Sequence, residues 1–196
     1  MPLHFAPPPA NGSTLVHAGL NRLSTRTSPL SGTVVDFSAL QLSQPHAVYD
    51  LRVAAVVAGR GLASATQTGF RYLVTGGDVA IAAAEVHAGT DGTATLLANI
   101  NYGPYVEATA QALRQVAALP SVATAPYEVR LLRSAPIYLI ALWLKPDSGT
   151  GDIIYPVAPA PPGLQAGQPY AEADFIRAIL PLAEKRAAES DPRRVP

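Results

Sequence analysis

A chain of 196 residues, 48% of them hydrophobic and 14% charged, can bury one sizeable core and is too apolar to be a disordered solvator. Lys plus Arg balance Asp plus Glu at 14 each. The concentrated positive footprint that phosphate binding needs is missing, so nucleic acid is disfavoured as a partner. The absence of cysteine removes disulfides, thiolate nucleophiles, zinc–thiolate sites and iron–sulfur clusters together.

Residues 1–44 read as an extended Pro/Ser/Gly-rich N-terminal arm, with "PPP", "NGS" and "SPLSG" as its breakers. Leu15, Val16, Leu20 and Leu23 are available to pin it to the body. No positively charged start is followed by an apolar run, so a signal peptide is not expected and the cytoplasm is the default location. From Val48 the composition turns strand-like, and "VYDLRVAAVVAG" has no breaker before Gly59. Gly59-x-Gly61 follows, but Ser64 stands where a dinucleotide fingerprint needs its third glycine, so a turn or short helix is expected there.

"GFRYLVTGGDVAIAAAEVHAGTDGTATLLANINYG" reads as three strands joined by tight turns at "TGGD" and "GTDG". Unbroken alternation puts Phe70, Tyr72, Val74, Val79, Ile81, Ala83, Leu96, Ala98 and Ile100 on one face, together with Glu85 and His87. Arg71, Ala80, Ala82, Ala84, Thr95, Asn99 and Asn101 fall on the other. Pro104 opens a helix running to Leu119, with Val106, Ala110, Leu113 and Ala117 at helical spacing.

The most apolar stretch, "PIYLIALWL", is about nine residues long, whereas a membrane-spanning helix needs about 20. It reads as one arm of a hairpin between "YEVRLLR" and "IIYPV". Because Ile137 to Leu144 is apolar on both faces, the strand is expected to be central and covered twice. The Pro104–Leu119 helix is one cover and the C-terminal helix around Phe175, Ile176, Ile179 and Leu180 the other; the rival cover is a second copy, self-associating through Ile137–Leu144. Pro181 is expected to end or kink that last helix. "PVAPAPPGLQAGQP" reads as a polyproline-type surface connector. The expected fold is therefore α+β: an antiparallel sheet of about five to seven hairpin-connected strands, packed by a central and a C-terminal helix. It forms a single domain over residues 45–188, with a frayed tail at 189–196.

Glu85 and His87 are the strongest chemical candidates, being two apart on an otherwise apolar strand face where burial would perturb both proton affinities. Asn99 and Asn101 project together beside a helix start, a place where amides can position a ligand or satisfy loose backbone. Tyr72 and Arg133 complete the candidate ligand-binding groups. The four histidines show no metal-ligand spacing, and no HExxH, calcium-loop or GxSxG pattern occurs, so neither a metal nor a cofactor is expected. Ser134 has no base near it in sequence. A non-catalytic accessory, interaction or binding protein, homodimeric in one version, is the leading expectation. The alternative is a small-molecule-binding enzyme with a pocket between sheet and helix that uses Glu85 and His87.

Overall fold

The structure is a computed structural model that describes residues 3–24, 40–43, 45–89, 91–149 and 151–190. Its ten strands join one sheet, and the chain runs β1 (Leu3–His4), α1 (Gly12–Ser24), β2 (Gln41–Leu42), β3 (His46–Asp50) and α2 (Val53–Val57). The meander β4 (Thr66–Gly76), β5 (Val79–Ala88) and β6 (Ala94–Asn101) follows, and then α3 (Pro104–Val116) and α4 (Pro120–Thr124). The chain closes with β7 (Tyr127–Ser134), β8 (Leu139–Pro146), β9 (Ile153–Pro156), β10 (Tyr170–Ala171) and α5 (Glu172–Glu189).

The α+β expectation holds, but the sheet is larger than five to seven strands and is mixed, not antiparallel throughout. Its order is β10-β9-β8-β7-β3-β4-β5-β6, and β3 lies parallel to β7 with Val48 opposite Leu131 and Asp50 opposite Arg133. The cause is α3, which carries the chain from the edge strand β6 back across the sheet and sets β7 down beside β3. A crossover of that length permits parallel pairing where a hairpin does not.

Two helical layers sandwich the sheet. On one face α3 and α4 bury Ala112, Val116 and Val122 against Val48, Val129, Leu131, Leu142 and Leu144. On the other, α5 and α2 bury Phe175, Ile179, Ala183 and Val56 against Leu132, Ala141, Trp143 and Ile154. β8 is thus covered on both faces by helices of its own chain, so its apolarity requires no second copy. The buried stripe of α3 is Val106, Thr109, Ala112 and Val116, about one residue round from the expected one.

The N-terminal segment differs from an extended arm. Gly12–Ser24 is helical, and its Val16 and Leu20 are buried against Phe70, Tyr72, Val74 and Ala84. Leu3–His4 and Gln41–Leu42 of that segment join the sheet, while residues 25–39 lie outside the described residues, as does the tail beyond residue 190. Asn11, just before the helix, clasps the start of β6: its Nδ2 donates to the Ala94 carbonyl at 2.9 Å and its Oδ1 accepts from the Ala94 amide at 2.6 Å. Asn11→Ala is expected to cost about 1–2 kcal/mol by urea denaturation, since it removes two hydrogen bonds and unties a backbone group at the sheet edge.

Pro181 neither ends nor breaks α5, which continues to Glu189. Phe175, Ile179 and Ala183 form one buried stripe spanning both sides of the proline, and their packing outweighs the lost backbone bond. The proline-rich connector is held to the body, with Val157 buried and the Tyr105 hydroxyl donating to the Pro159 carbonyl at 3.2 Å. No described helix is long and apolar enough to cross a membrane.

Candidate functional site

Two β-bulges decide which side chains meet. The turn between β4 and β5 places Gly76 opposite Val79 and Thr75 opposite Ala80. Ile81 is then squeezed out of the ladder, so Val74 faces Ala82 and Arg71 faces Glu85. In the next hairpin His87 faces Leu96, and an unbroken ladder would place Ala98 opposite Glu85. Ala98 is bulged instead, and Asn99 takes its place. A single extra residue inverts every side chain beyond it. The expected division into faces is therefore overturned: Glu85, His87, Asn99, Asn101 and Arg71 share the α3 face. Tyr72 sits on the opposite face, buried against α1.

On the α3 face an ion-pair chain crosses four strands. Arg71 on β4 donates Nε to Glu85 Oε1 at 2.7 Å, with a second bond from Nη2 to the same oxygen. Arg133 on β7 donates Nη1 to Glu85 Oε2 at 2.6 Å, while its Nε bonds Asp50 Oδ1 on β3. Arg71 and Glu85 are buried, at 5% exposure each. Burial by itself would raise the Glu85 pKa, but the two guanidiniums overcome it and hold the carboxyl below its ordinary 4.5. Burial likewise works against the charge on Arg133, yet its bonds and charge pairing with Asp50 and Glu85 raise its pKa above the ordinary arginine value.

This geometry gives each sequence candidate a definite chemical character. Glu85 is a fully paired anion with both oxygens occupied, which is the opposite of a poised general base. His87 is exposed, and its Nδ1 lies 3.0 Å from the Thr68 carbonyl, so it is not joined to Glu85. Asn101 Nδ2 donates to Asn99 Oδ1 at 3.0 Å, leaving the Asn99 amide nitrogen and the Asn101 carbonyl to solvent. Arg130, on the same strand as Arg133, is neutralised too. Arg130 Nε donates to Glu128 Oε1 at 2.7 Å, and its guanidinium lies over Tyr49 and Trp143. Among the described residues no three His, Asp or Glu side chains come together as a metal cage.

The glycine-rich stretch after α2 is a turn and a short 3-10 helix, Leu62–Ser64. Glu172 Oε1 accepts the Leu62 amide at 2.8 Å, so that backbone donor is used inside the fold.

A cavity lies elsewhere under α3, at a split in the sheet. β3 fills the slot between β7 and β4 along His46–Asp50. Before His46 that slot is shared: β1 pairs with β7, β2 pairs with β4, and β1 and β2 do not pair with each other. A cavity of about 690 Å³ opens where they diverge. Leu3, Phe5, Leu42, Leu73, Ala80 and Leu113 supply apolar wall, and Asp78 and Arg114 are among its polar residues. Ser43 also lines it, and the Ser43 hydroxyl is buried without a hydrogen-bond partner. Ala110, Leu113 and Ala117, the stripe that the sequence assigns to the core, face this cavity.

Arg71 and Asp50 escape a sequence reading that treats the two faces as unbroken alternation. The available signal is a lone charge inside each of several apolar strands, "VYDL", "GFRYLV" and "AAAEVH", whose signs are complementary. The cavity has no such signal, because its wall is built from four separate segments. No protein-family model matches this chain, and no curated protein or solved structure matches it significantly.

Proposed function

We propose that this chain is a non-catalytic binding protein whose ligand site is the apolar cavity in the sheet split beneath α3. One observation carries the reading: the cavity is within the size range of small-molecule sites, is mostly hydrophobic and has a few polar groups at its wall. The acid–base candidates argue in the same direction, since Glu85 is saturated by two arginines and the exposed His87 stands apart from it. A ligand would displace water from Leu73, Ala80 and Leu113 and offer a partner to the Ser43 hydroxyl.

The test is binding of the apolar dye anilinonaphthalene sulfonate to the full chain, followed by its fluorescence, with Ala110→Phe as the filled-cavity variant. The parent chain is expected to bind saturably, and the variant at least about tenfold more weakly, a difference of about 1.4 kcal/mol. Ala110 is only partly buried, so the variant should keep the parent's melting temperature. Equal binding by both chains would rule out the cavity. Native mass spectrometry of protein purified without added ligand extends the test, because a stoichiometric extra mass would identify the natural occupant.

A further inference from the structure

One wall of the cavity under α3 is built unlike the others. Leu73, Ala80 and Leu113 stand on β4, β5 and α3, which are fixed by a long ladder or by a buried helical stripe. Leu3 and Phe5 come instead from the segment Leu3–Pro9, which passes through the split in the sheet. Its Leu3 and Phe5 pack with the core on the α3 side, and its Ala6 packs with the core on the α1 side. Three features mark this segment as a strap that swings as a unit.

The first is a slight attachment at one end. β1 pairs with β7 over two residues, Leu3 with Tyr127 and His4 with Glu128, and does not pair with β2. One side-chain bond adds to this, between His4 Nε2 and Asp147 Oδ1 at 2.8 Å, and both of its side chains are about half exposed. A segment with few buried contacts and solvent-exposed bonds opens at low cost. The second is a firm anchor at the other end. Gly12 N donates to the Pro9 carbonyl at 2.9 Å, and Asn11 holds Ala94 on β6 by two bonds. Between latch and anchor run Pro7, Pro8 and Pro9, which have no amide to give a ladder and stiffen the chain. The segment therefore turns about its Pro9 end instead of crumpling. The third is space on both sides. A second cavity, of about 430 Å³, is lined by Leu3, Phe5, Pro8 and Pro45, so two cavities meet at Leu3 and Phe5. Interiors are otherwise close-packed, and here the two side chains can move without displacing the core.

We propose that Leu3–Pro9 is the movable wall of the cavity: it swings out to let a ligand pass and returns Leu3 and Phe5 against it, with the His4–Asp147 bond as its latch. The inference rests on the reading of the cavity as a ligand site. The latch is made in the free and the occupied chain alike, so it sets the rates of entry and exit and not the affinity.

The experiment uses the absence of cysteine from the chain, which confines a thiol reagent to introduced positions. His4→Cys and Asp147→Cys are combined in the full chain and joined by a bis-maleimide with a reducible spacer. Exchange of anilinonaphthalene sulfonate is followed by stopped-flow fluorescence, with equilibrium titration alongside. Cross-linking is expected to slow association and dissociation at least about tenfold, and reduction of the spacer to restore both. Asp147→Ala, which cuts the latch at a half-exposed side chain, should speed both rates about two- to fivefold and leave Kd as in the parent. The proposal is overturned if the linked and the reduced chains bind the dye saturably and exchange it at the same rate, an outcome that leaves the cavity assignment standing. Dye that does not saturate on the parent chain overturns the cavity assignment and the strap with it.

Discussion

Replacing Glu85 by Gln is expected to destabilise the chain by about 3–5 kcal/mol, read from urea denaturation followed by the fluorescence of its single tryptophan, Trp143. Removing the carboxylate leaves Arg71, 5% exposed, as a buried cation whose two bonds both went to Glu85. Arg133 also loses one of its two partners. The pair variant Arg71→Met with Glu85→Leu should recover most of the loss, because two apolar side chains of similar size leave no charge uncompensated. If Glu85→Gln alone is neutral, the ion-pair chain does not contribute to the fold. The same carboxylate sets an acid limit. Its folded pKa lies below the ordinary 4.5, so its contribution is fully present above that value and is lost as the pH falls through the lowered one. The pair variant should therefore show a flatter stability profile in that acid window than the parent.

Phe175→Ala is the second large effect, at about 3–5 kcal/mol by the same measurement. Phe175 is fully buried and is among the largest such side chains. It joins α5 to a cluster containing Leu132, Ile137, Trp143 and Ile154. Nothing nearby is free to collapse into the space, since strands and helices on every side are already packed. Because α5 supplies the cover of β8 on that face, the variant should also expose Trp143 and shift its emission to the red in the native state. A loss under about 1 kcal/mol would mean that α5 is loosely docked and that β8 is not sealed by its own chain.

Strand and helix identity was legible along most of the chain because it depends on neighbours in sequence. The run from Gly69 to Asn101 announces three strands through composition and two glycine turns, and Pro104 announces α3. The apolar run through Leu142 was legible as a doubly covered central strand, since only burial on both faces tolerates that pattern. The Gly12–Ser24 helix was less visible: its stripe of Val16 and Leu20 is short and sits among prolines and glycines that argue for coil. Pro181 did not end its helix, as local propensity yielded to a buried stripe.

The sequence candidates were legible as polar residues in apolar strands but not in their arrangement, and none of them lines the cavity. Glu85, His87, Asn99, Asn101 and Arg133 stand out in the sequence, and all but Tyr72 of the six candidates reach the α3 face. Their meeting depends on single extra residues at Ile81 and Ala98, and a one-residue bulge carries no compositional mark in an alanine-rich strand.

The sequence alone therefore determined the three strands between Gly69 and Asn101, the α3 helix, the central burial of Leu139–Leu144 and the exclusion of thiol chemistry, because each follows from composition or from spacing within one segment. Only the tertiary structure decided that β3 and β7 lie parallel, that Arg71 and Arg133 both close on Glu85, and that the sheet parts between β1 and β2 to leave a cavity. Those features arise from contacts between segments far apart in the chain, whose geometry is set by strand register and by the route of α3 across the sheet.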